Sequence, residues 1–221
     1  MKSTIYHSLL FLTLISTLLV SCSDDDDGPQ PLVVSSDNYL PNSAGSYWKY
    51  DATSIPDYTL TSTNNVKEID GKMYREFLRN SNDHTTPSYL RFENGEYWGF
   101  ADLAAMSQSP TKIENFKMIL LKDNAEVGHQ WEHTFDANSN GMTLKVTYAF
   151  EILEKGISKT VKETTFEDVI VLQMKSSYEA AGQTIPMSTD KQYYAKGVGL
   201  IKVESPASGT VELEEYKIEK E

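Results

Sequence analysis

At 221 residues the chain is long enough to bury one sizeable core or two small ones. Its 32 acidic side chains outnumber the 20 basic ones for a net charge of −12, and without clustered Lys and Arg to meet a phosphate backbone, nucleic acid is excluded as the main partner. A single cysteine excludes an internal disulfide and a zinc site built on four thiolates, so burial has to hold the fold.

The chain opens with Lys2 and an uncharged apolar run over residues 5–20. That run is shorter than the roughly 20 residues that span a bilayer, and it has the form of a signal-peptide core. It ends at Leu19-Val20-Ser21-Cys22, a small residue followed by the only cysteine. This segment resembles the lipobox of bacterial lipoproteins, which implies removal of residues 1–21 and palmitate-type acylation of Cys22. Two or three acyl chains, at about 0.8 kcal/mol per buried methylene, anchor a protein stably where one does not. Next come Ser23 and Asp24-Asp25-Asp26-Asp27. Like charges in a block repel and bury nothing, so residues 22–36 read as a lipidated, acidic, flexible tether. The pattern also resembles the acidic export signal of Bacteroidetes surface lipoproteins, which implies a place on the outer face of the outer membrane. Membrane attachment is then through the N-terminal lipid.

From residue 37 to 221 the texture changes to short runs of period two, rich in Tyr, Val, Ile, Thr and Phe. Strands are expected over residues 46–52, 58–63, 66–69, 73–79, 89–92, 97–100, 116–121, 130–135, 142–153, 158–164, 169–178, 191–195, 200–204 and 209–218. Asp70-Gly71 and Asn94-Gly95 suit type I′ hairpin turns, whose twist matches that of the flanking strands. In the last strand Val211 and Leu213 fall on odd positions but Tyr216 and Ile218 on even ones, which predicts a bulge near Glu214 and Glu215. The one helical turn expected lies around residues 101–107. Together these features predict a single all-β domain, one antiparallel curved sheet closing into a barrel or half-barrel, with a two-layer β-sandwich as the alternative.

Several segments carry a further resemblance. Tyr39-Leu40-Pro41, Gly45, Trp48-Lys49-Tyr50, Val127-Gly128, Trp131, Phe166 to Ile170 and the run Tyr193-Tyr194-Ala195-Lys196-Gly197-Val198-Gly199 are similar to a family of uncharacterised Bacteroidetes surface lipoproteins. These motifs read as structural, and the resemblance brings no activity to individual residues.

Candidate chemistry is sparse. His129-Gln130-Trp131-Glu132-His133 has the H-x-x-E-H spacing of inverzincin metallopeptidases. On a helix the two histidines face one way about 6 Å apart, but on a strand they stand roughly 13 Å apart, too far for one metal. The alternation of Trp131, His133 and Phe135 with Gln130, Glu132 and Thr134 favours the strand, so no metal is expected. No serine sits in a G-x-S-x-G elbow, and no Gly-rich loop suits a phosphate or dinucleotide, so no catalytic residue and no cofactor are expected. Glu167, Asp168, Glu212 and Glu214 supply acids but no distinctive pair. The 13 Tyr and 3 Trp are the stronger signal, since flat amphipathic rings stack on sugars or line a pocket. Of the pairs Tyr97-Trp98 and Tyr193-Tyr194, one member each should face outward or into a cavity.

The reading that follows is a non-catalytic surface lipoprotein, a β module for a glycan, a peptide or another outer-membrane protein. A secreted carboxylate-dependent hydrolase and an apolar-ligand carrier are the alternatives. A groove with two facing acids would favour the hydrolase, an outward aromatic platform the glycan binder, and an apolar hollow the carrier.

Overall fold

The structure is a computed structural model that describes residues 28–82, 84–101, 111–113, 116–139 and 142–220. The leader, Cys22, Ser23 and Asp24 to Asp27 lie outside the described residues, as do positions 102–107 of the expected helical turn. Thirteen strands follow in chain order. They are β1 (Tyr47–Ala52), β2 (Tyr58–Ile69), β3 (Lys72–Ser81), β4 (His84–Glu93), β5 (Glu96–Ala101), β6 (Thr111–Ile113), β7 (Phe116–Lys122), β8 (Gln130–Ser139), β9 (Met142–Val161), β10 (Thr164–Ala180), β11 (Gln183–Ala195), β12 (Gly199–Ser205) and β13 (Gly209–Lys217).

All thirteen belong to one sheet in the order β6-β8-β9-β10-β11-β12-β13-β1-β2-β3-β4-β5-β7, and every neighbouring pair is antiparallel. The sheet curls into a nearly closed barrel with one unsealed seam. That seam lies between β7 and β8. The short β6 pairs only with the far end of β8, at Ala137, Asn138 and Ser139. The sandwich alternative is therefore not the architecture.

Local chemistry explains the turns. Asp70 and Gly71 take φ of 51° and 70°, and Asn94 and Gly95 take 53° and 81°, the left-handed pair that a type I′ hairpin needs. The bulge expected near Glu214 is present: Lys49 pairs with Glu215 and Tyr50 with Leu213, which leaves Glu214 as the extra residue and lets Leu213 rejoin the buried side. Several boundaries differ from expectation: the runs over 58–63 and 66–69 are one strand, β2, and β4, β8 and β10 extend beyond 89–92, 130–135 and 169–178. The strand expected over 158–164 is the end of β9 running into a turn at Lys162, whose φ is 51°, and β11 begins at Gln183 rather than at residue 191. The β10–β11 hairpin is longer because its turn end runs through largely exposed sequence with little apolar alternation to mark it, whereas the β9–β10 turn end buries Val161 and Phe166.

The interior holds two connected groups of side chains. Tyr97, Leu121, Phe150, Ile152, Ile170 and Leu172 pack at one end, while Trp48, Tyr50, Phe77 and Leu213 belong to the second group. The second group continues to the outer face, where the turn end of the β9–β10 hairpin folds over β11, β12, β13 and β1. There Lys162 pairs with Asp51 at 2.9 Å, Phe166 meets Tyr216 with ring centres 6.2 Å apart, and the Lys159 ammonium lies 4.1 Å from the Tyr193 ring centre.

Candidate ligand-binding site

Register assigns the inward face. Trp48 pairs with Leu60, Tyr50 with Tyr58, Phe77 with Ser88, Leu90 with Gly99, and Tyr194 with Leu200, and paired side chains stand on the same side of a sheet. These residues, with Leu120 of β7, surround a hollow of about 210 Å3 inside the barrel. Leu40 and Pro41, from the segment before β1, close it at one end.

That closing segment is a plug stitched to the wall. The Tyr39 amide donates to the Tyr97 hydroxyl at 3.1 Å, and Tyr97 donates to Asp123 at 2.6 Å. The Tyr39 hydroxyl donates to Asp168 at 2.8 Å, and the Gly197 amide donates to the Asn38 carbonyl at 2.8 Å. Burial and the neighbouring carboxylates push both phenols far above the ordinary range, so they stay protonated as donors. Asn42, fully buried, accepts from the Ser35 amide at 2.8 Å and donates to the Val33 carbonyl at 2.9 Å. Residues far apart in sequence, Tyr39, Asp168 and Gly197, thus meet at this end of the barrel.

The polar tips of the lining rings are turned into the wall. Trp48 donates its indole N–H to the Val198 carbonyl at 2.6 Å, Tyr50 donates to the Leu200 carbonyl at 2.9 Å, and Tyr194 donates to Gln192 at 2.7 Å. What remains toward the hollow is mostly carbon. Gly199 has φ of 111°, and a β-carbon there would stand 3.3 Å from the indole nitrogen, so glycine lets Trp48 lie against the wall. Gly99 does the same for Leu120, whose Cδ1 would be 2.8 Å from an added β-carbon. A smaller hollow of about 130 Å3 shares Ser88, Leu90 and Leu120 with the first.

The H-x-x-E-H segment is a strand from Gln130 onward. Its His133 spans the seam: Nε2 accepts the Ile119 amide at 2.9 Å, while the Trp131 indole donates to the Ile119 carbonyl at 3.0 Å. Nδ1 therefore carries the imidazole proton. Burial and the nearby Lys122 lower the His133 pKa, with Glu96 opposing. Among the described residues no three metal-ligating side chains come together.

On the outer face of β8, β9 and β10, Gln130, Glu132, Glu151, Gln173 and Lys175 rim a shallow concavity of about 290 Å3 over Ala149. Trp131 and Phe150, which pair across β8 and β9 and stack at 5.2 Å, line it as well. The acids singled out in the sequence are dispersed: Asp168 holds Tyr39, Glu167 accepts from Ser158, Glu212 pairs with Lys202 at 3.0 Å, and Glu214 is the bulge. Of the adjacent aromatic pairs, Tyr194 lines the hollow and Tyr97 anchors the plug. The leucines of the hollow had no sequence signal of their own, since alternation gives a strand's two faces but not which inward side chains leave a gap. The chain matches no family model, no curated protein and no solved structure.

Proposed function

We propose that this protein is a non-catalytic lipoprotein, anchored through acylated Cys22 to the outer face of the outer membrane, that holds a small, largely apolar ligand inside its barrel. The observation that supports this reading is the hollow. Leu40, Leu60, Leu90 and Leu120, all half-buried, stand around about 210 Å3 of space that opens to solvent, and ligand sites are characteristically apolar concavities with a few polar groups. For scale, an apolar cavity of about 150 Å3 admits benzene. A space of this size suits one ring with a short arm, or a short acyl chain, and is too small for a two-tailed lipid. The interior site joins the binding-module reading to the carrier reading. The acids singled out in the sequence are dispersed into separate contacts, which gives the hydrolase reading less support.

The test is thermal unfolding of the full chain in phospholipid nanodiscs, with and without benzene- to indole-sized ligands. A ligand at a hundred times its Kd should add about 2.7 kcal/mol. Leu60→Trp, which fills the hollow, should remove that gain, whereas an undiminished gain would put the ligand elsewhere. Acyl labelling that survives Cys22→Ala, or protection from protease added to intact cells, would defeat the anchoring part.

A further inference from the structure

Two positive charges without counter-ions stand on β3 next to residues that line the hollow. Arg75, Phe77 and Arg79 are alternate residues of β3 and share its inner face, since Arg75 pairs with Leu90 and Arg79 with Leu60, both of which line the hollow. The Arg79 guanidinium lies 4.1 Å from the centre of the Tyr58 ring, which in turn stacks on Tyr50 at 4.9 Å. Stacking uses the face of a guanidinium and leaves its edge N–H groups free to donate. The Nε of Arg79 and the Nε of Arg75 are both buried without a hydrogen-bond partner. Arg75 spends Nη1 on the carbonyls of Thr63 and Asn64, at 3.2 and 3.1 Å. Among the described residues neither arginine makes an ion pair, although the chain has 32 acids against 20 bases and Arg91, on the outer face, finds Glu93 at 3.2 Å.

Desolvating a cation without a counter-charge is costly, and buried charges are normally paired. Two arginines without a carboxylate partner beside an apolar hollow have the donor chemistry that suits an anion. We propose that the ligand is a compact apolar monocarboxylate, a single ring or short chain seated between Leu60 and Leu90 with its carboxylate on Arg79. Tyr58 holds the Arg79 fork in plane. A carboxylate matches the two-pronged donor geometry of guanidinium, and one negative charge suffices. This inference rests on the hollow being the binding site.

The experiment is calorimetric titration of the full chain in nanodiscs with 3-phenylpropionate and, separately, with its neutral amide, empty nanodiscs serving as blank. The acid should bind at least tenfold more tightly than the amide. Arg79→Gln should erase that preference while leaving amide binding intact, and Arg79→Lys should retain part of it. Equal affinity for acid and amide on the unaltered chain overturns the carboxylate assignment without recourse to any variant that fails to fold. If amide binding is abolished by Leu60→Trp but the acid has no advantage, only the anion inference falls. If neither compound binds, the hollow reading falls with it.

Discussion

At the plugged end of the barrel, Asn38 and Tyr39 engage the wall through hydrogen bonds with Tyr97, Asp168 and Gly197. Asn42 ties the plug to itself through Ser35 and Val33, and each of the three residues is almost wholly buried. At the β7–β8 seam, by contrast, the strands approach without a backbone ladder, and two side chains, Trp131 and His133, occupy the amide and the carbonyl of Ile119. A sheet edge left bare is a template for pairing with another chain, and capping it with side chains is one way to blunt it. The plug therefore draws its strength from many mutually supporting buried contacts, and the seam from a pair of bonds that solvent conditions can alter.

Breaking the plugged end should have the largest effect. Trp48→Ala removes a buried ring that touches Phe77 and the bond to Val198, and should cost about 3 to 5 kcal/mol in denaturant unfolding. A loss below about 1 kcal/mol would mean that this end is not packed around Trp48. Tyr97→Phe keeps the ring but strands the Tyr39 amide and Asp123, so about 1 to 3 kcal/mol is expected from the same measurement.

The seam sharpens the contrast through pH. His133 must be unprotonated at Nε2 to accept from Ile119, and its folded pKa lies below the ordinary 6.5 because burial and Lys122 disfavour the cation. The unfolded chain then takes the proton first. Stability from this site is complete above about pH 6.5 and falls as pH drops below it, by at most about 1.4 kcal/mol per pH unit. The protection of the Ile119 amide, relative to its intrinsic exchange rate at each pH, should fall over that range while that of the Tyr39 amide holds. His133→Leu should remove the His133 part of the pH dependence; an Ile119 amide as protected at pH 5 as at pH 7.5 would contradict the role given to this histidine.

Much of the fold was legible because the controlling signals are local. Period-two alternation placed most strands, Asp70-Gly71 and Asn94-Gly95 marked their hairpins, and the switch of parity between Leu213 and Tyr216 located the bulge at Glu214. The hairpin turn at Lys162 and the one at Ala181-Gly182, with φ of 50° and 76°, escaped because neither carries an Asn or Asp that tolerates the left-handed region. The hollow was foreseen as a class of possibility but not as a set of residues. It exists because Gly99, Gly199 and Ser88 stand where larger side chains would fill the barrel, and that follows from strand order and register, which no single segment encodes. The same holds for Arg75 and Arg79, whose sequence spacing gives a shared face but not an inward one.

The most direct measurement is methyl NMR of the nanodisc-embedded chain, with Leu methyls labelled, during titration with 3-phenylpropionamide, which tests the hollow apart from the charge beside it. Shifts confined to Leu40, Leu60, Leu90, Leu120 and Leu200, the leucines around the hollow, are the expected result. Shifts spread over exposed positions, or none at all when the ligand demonstrably binds, would contradict an interior site.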